Sequence, residues 1–464
     1  MGTYDCIVVG AGISGLSTAY ALQRRGAKVL VVEASAKVGG AMSSEQTPEG
    51  FVLEKGPNTI VCGSADMHEH FANLGIEKEL MQADRQGARR YLLLNGQLEL
   101  IPLGPAGAIT TRLFSPKGKL RLAAEPFIPR AKTSDESVAA FFTRRLGPEL
   151  AQRVVDPFVS GVYAGDATVL SIRETFPMIW EAEQKYGNIV WGMINILREK
   201  AAERKKTGKK RVKSEMISFR GGVVHWPQAI AKALGAENVW LNCSATALQR
   251  VDQDWQLTVQ RNGKEETVSA ERLILATPAG ATANLLESVD TKVAKALREI
   301  PYPAVAVVHL GYRREDVAHP LDGFGMLCPS HEKRDVLGTL WSSTLFTENA
   351  PQGKVLLTSF VGGARRPYFA MQAEDSLLEA IIQEQQKLVG AKGQPVFKRV
   401  TQWQSAIPQY VAGHTERMAQ VNRLEAMWSG LYIVSNYRDG VSVEKCWHKG
   451  NELGQRIPFS KPAS

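Results

Sequence analysis

The pattern that most limits the fold of this chain lies in its first 32 residues. Residues 10–15 read G-x-G-x-x-G, and they follow a largely apolar run at residues 4–9 that predicts a buried parallel strand. Residues 13–25 show helical periodicity and are followed by a glycine, and residues 28–32 form a second apolar run. The order of these segments predicts a strand–helix–strand unit that binds a dinucleotide.

Each glycine of the motif has a physical role in such a unit. Gly10 permits the tight turn, Gly12 lets the backbone approach a pyrophosphate, and Gly15 lets the helix pack close to the strand. The N-terminus of the helix presents free N–H groups and a partial positive charge to the phosphates. We therefore expect the cofactor to contact the following residues: Gly10, Ala11, Gly12, Ile13, Ser14 and Gly15.

An acidic residue and a second glycine pair favour FAD over NAD. Glu33 ends the second strand, where its carboxylate can accept hydrogen bonds from ribose hydroxyls. Val38-Gly39-Gly40 and then Gly56-Pro57-Asn58 follow within 25 residues. Glycines beyond the ribose-binding strand give backbone room for a longer cofactor. We predict FAD that is bound without a covalent link.

Strands and helices alternate near both ends of the chain, while the middle mixes the two. This order predicts an α/β protein with a Rossmann-type FAD-binding domain of the glutathione-reductase kind, built from separated segments. An α+β substrate domain and a mainly helical, membrane-facing domain are inserted into it. The predicted bounds are 1–60, 212–290 and 395–457 for the FAD-binding domain, 61–90 and 291–394 for the substrate-binding domain, and 91–211 for the helical domain.

Two basic segments stand out against the net charge of +9. Residues 198–213 hold nine Lys or Arg and two Glu, which predicts a solvated, mobile loop or else a patch that meets anionic lipids. Residues 101–130 mix five prolines with apolar and basic side chains, which predicts an irregular packed loop or a membrane-lying surface. We expect no nucleic acid partner, because no aromatic residues interleave with the basic run.

Cysteine usage and hydropathy bear on location. The five cysteines are scattered and lack metal-ligand spacing, so we expect packed, reduced thiols, a cytoplasmic setting and no metal site. Apolar stretches are interrupted well before the ~18 residues needed to span a bilayer. We also see no signal peptide, because Asp5 precedes the first apolar run.

The longest distinctive string is Asp-Pro-Phe-Val-Ser-Gly-Val-Tyr-Ala-Gly-Asp at residues 156–166, with Leu-Ser at 170–171. With this string, the chain resembles the flavin amine-oxidase superfamily and, within it, the porphyrinogen oxidases, most closely the plant-type protoporphyrinogen oxidases. The resemblance runs from residue 4 to about residue 457. Further matches lie at residues 323–325, 342–346, 403 and 407–410.

The resemblance implies that FAD accepts hydride from a porphyrinogen and passes electrons to dioxygen, at a peripheral membrane site. It assigns substrate contacts to Arg90, Gly161, Leu327 and Phe346, and leaves Arg89 facing solvent. It adds these cofactor contacts: Ala34, Gly40, Ala41, Gly56, Pro57, Asn58, Thr59, Ala245, Trp403, Val441, Ser442 and Val443. No catalytic residue is assigned, because the cofactor carries the redox chemistry.

Three alternatives stay open. The first is oxidation of coproporphyrinogen III, whose four propionates would favour a more basic cavity than the two of protoporphyrinogen. The second is an amine oxidase or a desaturase, which the 156–166 string disfavours. The third is a flavin-binding scaffold without turnover, which the intact glycines and Glu33 disfavour. Whether the chain forms a homodimer also stays open.

Overall fold

The predicted strand–helix–strand unit forms at the N-terminus. A computed structural model describes residues 3–102, 107, 110–131, 133, 135–206 and 213–458. Strand Thr3–Val9 is followed by helix Ile13–Arg24 and strand Val29–Val32. The two strands pair in parallel with Val9 opposite Val32, so the glycine turn lies at the carboxyl end of the sheet. This arrangement confirms the predicted unit.

The first sheet gathers strands from distant parts of the chain around Thr3–Val9. Its parallel part runs in the order Val239–Trp240, Val29–Val32, Thr3–Val9, Lys264–Leu275 and Leu431–Ile433. The long strand Lys264–Leu275 also pairs antiparallel with Asp254–Arg261, which pairs with Cys243–Val251. Apolar side chains at the end of Lys264–Leu275 are fully buried, as a sheet covered on both faces requires.

A second, seven-stranded sheet lies apart from the first. Its strand order is Phe397–Trp403, Val305–Arg313, Lys354–Gly362, Gly338–Trp341, Gly325–Leu327, Tyr91–Leu94 and Gln97–Leu100. Helix Glu374–Val389 packs its apolar side against the first two strands of this order, Phe397–Trp403 and Val305–Arg313. The domain bounds given above remain a prediction; this sheet draws strands from positions 91–100 and 397–403 as well.

Two small sheets and several short helices connect these layers. Ser44–Gln46 pairs with Val52–Glu54, while Glu215–Phe219 pairs with both Ile60–Cys62 and Leu80–Gln82. The other helices near the two large sheets are Ala65–Leu74, His225–Leu234, Ala279–Leu286, Thr291–Arg298, Ser342–Leu345, Pro367–Ala370, His414–Met427 and Asn436–Asp439.

The chain segment 116–206, which we call the helical region, consists mainly of helices. Its helices are Pro116–Ala123, Val138–Leu146, Pro148–Leu150, a π-helical turn at Ala151–Val155, Asp156–Tyr163, Ile172–Thr175, Pro177–Tyr186 and Ile189–Lys206. Within the described ranges, no helix combines the length and the apolar composition that crossing a bilayer requires.

Two predictions about this region are wrong. Residues 198–206, expected to be part of a mobile loop, continue helix Ile189–Lys206, and residues 207–212 lie outside the described ranges. Basic residues in the last turn favour this helix, because its C-terminus carries a partial negative charge. An irregular loop over 101–130 is also wrong, because Pro116–Ala123 is a helix; positions 103–106 and 108–109 are not described. Ser115 caps that helix by accepting a hydrogen bond from the Gly118 N–H.

The last helix, Val443–Arg456, packs against the first helix, Ile13–Arg24. A Cβ at Gly450 would collide with Ser14 and Ser17, and one at Gly454 would collide with Ala21. The two helices therefore approach closely, and Thr18 Oγ1 donates a hydrogen bond to the Gly450 carbonyl over 3.0 Å. This contact holds the C-terminal segment beside the glycine turn.

Candidate active site

The glycine turn at residues 10–15 has the geometry of a phosphate-binding site. A Cβ at Gly15 would collide with the Gly10 carbonyl, whereas a Cβ at Gly12 would meet open space. Gly12 caps helix Ile13–Arg24 without a side-chain hydrogen bond, and the first turn of this helix contains no acidic residue. Since the first N–H groups of a helix lack intrahelical acceptors, those of Ile13 and Ser14 could bind an anionic group there.

Glu33 lies directly beside this turn. Its Oε2 accepts a hydrogen bond from the Ala11 N–H at 2.7 Å. Its Oε1 accepts from the Ser35 N–H at 2.9 Å and from the Ser35 hydroxyl at 2.7 Å. Because a carboxylate has about four acceptor positions, Oε2 retains capacity for a ribose hydroxyl. Ala34, the next residue, is exposed on the same edge.

The segments around Ala41 and Gly56 lie against each other next to the glycine turn. The Gly39 N–H donates to the Ala11 carbonyl at 2.8 Å, and a Cβ at Gly56 would collide with the Ala41 carbonyl. The Asn58 amide donates to the Gly56 carbonyl at 2.9 Å, but its buried Oδ1 has no hydrogen-bond partner within the described part of the chain. A buried oxygen without a donor in this position is consistent with a site where a polar group of the cofactor donates a hydrogen bond to Asn58.

Trp403 approaches the same segment from the second sheet. Its indole N–H donates a hydrogen bond to the Lys55 carbonyl at 2.6 Å, directly before Gly56, Pro57, Asn58 and Thr59. The side chain is half-buried, so part of the ring remains free to contact a ligand. Trp403 therefore lies beside residues 56–59, which we expect to contact the cofactor. A contact between Trp403 and the flavin ring stays a prediction.

The C-terminal segment brings a second helix N-terminus to this area. Ser442 caps helix Val443–Arg456 by accepting from the Lys445 N–H, and Val441 is half-buried before it. Ser435, directly before the short helix Asn436–Asp439, has φ −164° and ψ 162°, which any residue can adopt. Its hydroxyl donates to the Thr277 carbonyl at 3.1 Å, so serine fits there without strain.

Ala245 lies in the antiparallel part of the first sheet. It pairs with Val259 directly before a β-bulge, where the ladder shifts register between Ala245 and Ala247. A bulge leaves backbone groups next to Ala245 outside the regular ladder, and such groups could serve the expected adenine contact. That contact stays a prediction.

The four predicted substrate residues come from four separate segments of the chain. Gly161, in helix Asp156–Tyr163, faces Leu327 so closely that a Cβ at Gly161 would collide with the leucine side chain. The guanidinium of Arg90 is 5.3 Å from the centre of the Phe324 ring, three residues before Leu327. Phe346 is buried at the end of helix Ser342–Leu345. Gly161 and Leu327 thus meet, and Arg90 adjoins the same strand.

Arg89 is exposed, as we expect from the sequence. Its guanidinium also forms an ion pair with Asp322, which accepts a hydrogen bond from the Tyr91 hydroxyl at 2.8 Å. Burial alone would raise the pKa of Asp322, but Tyr91 and Arg89 hold that pKa below its ordinary value. Nothing local in the sequence signals this cluster, because its members are more than 200 residues apart.

Glu54 is a second residue that the sequence analysis missed. The residue is 3% exposed, and its carboxyl group accepts from the Ser44 hydroxyl at 2.6 Å and from the Val223 N–H at 2.9 Å. Among the residues that the structure describes, no Lys, Arg or His side chain pairs with this carboxyl group. Burial raises the pKa of Glu54 to about 7, which these two hydrogen bonds offset only in part. Glu54 is the last residue of strand Val52–Glu54. An acidic residue at the end of an apolar strand is the sequence signal that could have pointed to this site.

Comparisons with known proteins agree with this architecture. The family of flavin-containing amine oxidoreductases matches residues 13–457. A mitochondrial protoporphyrinogen oxidase of Nicotiana tabacum is 32% identical over 96% of this chain and 92% of its own length. A coproporphyrinogen III oxidase of Bacillus subtilis strain 168 is 27% identical over 97% of each chain.

A solved structure shares the fold over nearly the whole chain. It comes from Exiguobacterium sp. 255-15 and is provisionally named a protoporphyrinogen oxidase; it covers 98% of each chain with a TM-score of 0.80 at 21% identity. The family match and the tobacco relative extend over both sheets and the helical region between them. The chain therefore belongs to the flavin-containing amine oxidoreductases and, within them, to the porphyrinogen oxidases, with FAD as its cofactor.

Proposed function

We propose that this chain oxidises protoporphyrinogen IX to protoporphyrin IX in tetrapyrrole biosynthesis. The observation that carries the proposal is the similarity to the tobacco protoporphyrinogen oxidase along almost the whole chain. The reaction removes six electrons and six hydrogens in three steps, and three molecules of dioxygen are reduced to hydrogen peroxide. FAD, when bound, supplies the two-electron acceptor for each step.

The geometry supports the following roles for the chain's own residues. The helix that begins at Ile13 would hold the pyrophosphate, and Glu33 the ribose. Gly161 and Leu327 would form an apolar wall beside the macrocycle, and Arg90 would pair with one propionate. Binding, orientation and exclusion of water are the protein's contributions to a cofactor-dependent oxidation.

The test offers the purified, FAD-loaded protein each porphyrinogen and records the fluorescence of the porphyrin formed. We expect protoporphyrin to form with a higher kcat/KM than coproporphyrin. Without oxygen, the absorbance of the oxidised flavin should bleach on addition of the porphyrinogen. A flavin that stays oxidised under those conditions would contradict an enzymatic role and would favour the scaffold alternative.

Coproporphyrinogen III is the second candidate substrate. The observation that favours it is the similarity to the Bacillus subtilis enzyme over 97% of this chain, although its identity of 27% is lower than that of the tobacco relative. Coproporphyrinogen carries four carboxylates, so its selective use should depend on more than one cation in the cavity. A kcat/KM that favours coproporphyrinogen would replace the first proposal by this one.

We further propose that the helical region binds a membrane surface peripherally. Leu120 and Phe127 are 73% and 86% exposed, although apolar side chains of this size usually pack inside. Lys117 is exposed in the same short helix as Leu120 and could pair with an anionic headgroup. Peripheral binding would let an apolar substrate and product pass between the site and the lipid.

A reducing, cytoplasmic setting is part of this proposal. All five cysteines are buried and none forms a disulfide, and burial raises the pKa of the Cys62 and Cys243 thiols to about 11. Thiols with such pKa values are inert, because the thiolate is the reactive form. They act as packed apolar residues, which needs no oxidising compartment.

A further inference from the structure

Asp322 contacts both neighbours of Arg90. Its Oδ2 pairs with the guanidinium of Arg89, and its Oδ1 accepts a hydrogen bond from the Tyr91 hydroxyl at 2.8 Å. The backbone adds a third link, because the Phe324 N–H donates to the Arg89 carbonyl at 2.8 Å. Three contacts thus join residues 89–91 to residues 322–324.

The close packing around Asp322 fixes the position of its carboxylate. A Cβ at Gly323 would lie 2.9 Å from the Arg89 carbonyl oxygen and 3.0 Å from the Tyr91 ring, so the two segments meet without a side chain between them. The Tyr91 ring also packs on the buried Trp341, with ring centres 5.2 Å apart. Tyr91 is therefore fixed by its ring as well as by its hydroxyl.

A strained turn directly before Asp322 supports the same arrangement. Leu321 is buried and has φ +55°, a left-handed conformation that disfavours a leucine. Two hydrogen bonds hold it there: its N–H donates to His319 Nδ1 at 3.0 Å, and its carbonyl accepts from the Thr344 hydroxyl at 2.7 Å. Such strain persists where the surrounding structure fixes the conformation, often at functional positions.

The geometry of an extended chain gives these contacts a consequence for Arg90. Residues i and i+2 of an extended segment point to one side, and residue i+1 points to the other. Arg89 and Tyr91 are both held toward Asp322, and the Arg90 guanidinium instead lies over the Phe324 ring. We propose that Asp322 is a positioning residue that, through Arg89 and Tyr91, directs Arg90 toward the substrate carboxylate.

This inference rests on the proposed function, because it needs a carboxylate-bearing substrate at Arg90. A guanidinium pairs with a carboxylate in two parallel hydrogen bonds only at a matching angle. A loosely held Arg90 would keep its charge but lose that angle. Loss of the Asp322 contacts should therefore weaken carboxylate recognition without weakening contacts to the ring.

The experiment compares two porphyrins that differ only in their carboxylates. Protoporphyrin IX and its dimethyl ester are titrated into the FAD-loaded protein, and binding is read from the quenching of tryptophan fluorescence. D322N and Y91F nearly preserve the shape of each side chain. We expect each to weaken protoporphyrin binding about 3- to 10-fold and to leave binding of the ester unchanged. D335N, which breaks the Asp335–Arg366 pair in the same domain, is the matched control and should change neither.

A double variant separates positioning from general loosening of the fold. In the R90A background, adding D322N should have no further effect on protoporphyrin binding, because no guanidinium remains to be positioned. Equal weakening of both ligands by D322N, or additive effects with R90A, would overturn the inference and indicate a structural role. If R90A alone leaves protoporphyrin binding and KM unchanged, Arg90 is not the anchor, and the substrate assignment fails together with the positioning role. If R90A weakens binding and D322N does not, the positioning role alone fails.

Discussion

Glu33 is the single residue on which cofactor retention depends most directly. It joins the second strand to the glycine turn through the Ala11 N–H and has room for one more donor. Glu33→Ala should weaken FAD binding by roughly 1–3 kcal/mol, because ribose hydroxyls and the Ala11 N–H lose their acceptor. The dissociation constant is measured by the recovery of FAD fluorescence on dilution.

Two further variants show whether the loss of affinity is specific to the Glu33 carboxylate. Glu33→Gln keeps an acceptor for Ala11 but removes the charge, so it should fall between the wild type and the alanine variant. Glu77→Ala removes an exposed acid from a short 3-10 turn and serves as the matched control. Unchanged FAD affinity in both Glu33 variants would remove this residue from the cofactor site.

Glu54 links one buried carboxyl group to the pH dependence of stability. Its folded pKa of about 7 lies above the ordinary value of 4.5, so the folded chain binds the extra proton between these two values. The free energy of unfolding should therefore fall as the pH rises from about 4.5 to 7, by about 3 kcal/mol from this group alone. Above pH 7 the loss is complete and constant.

Glu54→Gln should abolish this contribution. The glutamine oxygen can accept from the Val223 N–H, and its amide can donate to the Ser44 hydroxyl, so both polar partners stay satisfied. The melting temperature of the variant should exceed that of the wild type at pH 8 and match it near pH 5. Glu45→Gln is the control, because the Lys55 partner lowers the pKa of Glu45. A variant that is less stable than the wild type at pH 8 would contradict the raised pKa.

At the scale of elements, the contact between the first and last helices matters most for the cofactor. Gly450 has no room for a Cβ beside Ser14 and Ser17, so Gly450→Ala should push the helices apart. The expected cost is about 1–3 kcal/mol in stability, together with weaker FAD retention, because both helix N-termini shift. Thermal unfolding of the FAD-loaded protein measures both.

Gly280→Ala is the matched control for this helix contact. Gly280 lies in helix Ala279–Leu286, and its Cβ would meet nothing within 4 Å. Alanine there should be neutral or stabilising by about 0.5–1 kcal/mol, because glycine is a poor helix former. Similar losses at positions 280 and 450 would mean that close helix packing is not the cause.

Which elements could be predicted depends on the range of the interactions that fix them. The glycine spacing and the apolar periodicity of residues 4–32 are local, so the strand–helix–strand unit followed from the sequence. The helical continuation over 198–206 did not, because the like charges suggested repulsion while the helix is supported by the packing of residues 189–197 and by its dipole. The Ser115-Pro116 helix start was available as a signal in 101–130, although the prolines suggested a loop.

The candidate site shows the same limit. The cofactor residues before position 60 lie close together in the chain and form a recognisable pattern. Asp322 and Tyr91 are 231 positions apart, so only the parallel pairing of Tyr91–Leu94 with Gly325–Leu327 brings them together. The orphaned Asn58 oxygen and the buried Glu54 likewise depend on neighbours from other segments. Tertiary contacts of this kind leave no periodic trace in the sequence.

At the scale of the whole molecule, the two sheets and the helical region contribute different parts of the candidate site. The first sheet draws its strands from residues 3 to 433, so the cofactor site forms only when distant parts of the chain assemble. The second sheet carries Tyr91, which follows Arg90, and Leu327, and helix Asp156–Tyr163 of the helical region packs against it through Gly161. The exposed apolar residues Leu120 and Phe127 lie in that helical region, on the same continuous chain segment as Gly161.

Because these exposed residues and Gly161 belong to one chain segment, membrane binding should be tested on the whole chain. Flotation with liposomes that contain anionic lipid should carry the protein upward, and added salt should weaken the effect because screening acts over ~10 Å at 0.1 M ionic strength. Leu120→Asp and Phe127→Asp should each reduce flotation, since both side chains are largely exposed and apolar. Met427→Asp is the matched control, because Met427 is 66% exposed at the end of helix His414–Met427, outside the helical region. Flotation that depends on neither lipid charge nor salt would contradict the electrostatic part of the proposal. Equal losses of flotation for the variants at positions 120, 127 and 427 would mean that the helical region is not the binding surface.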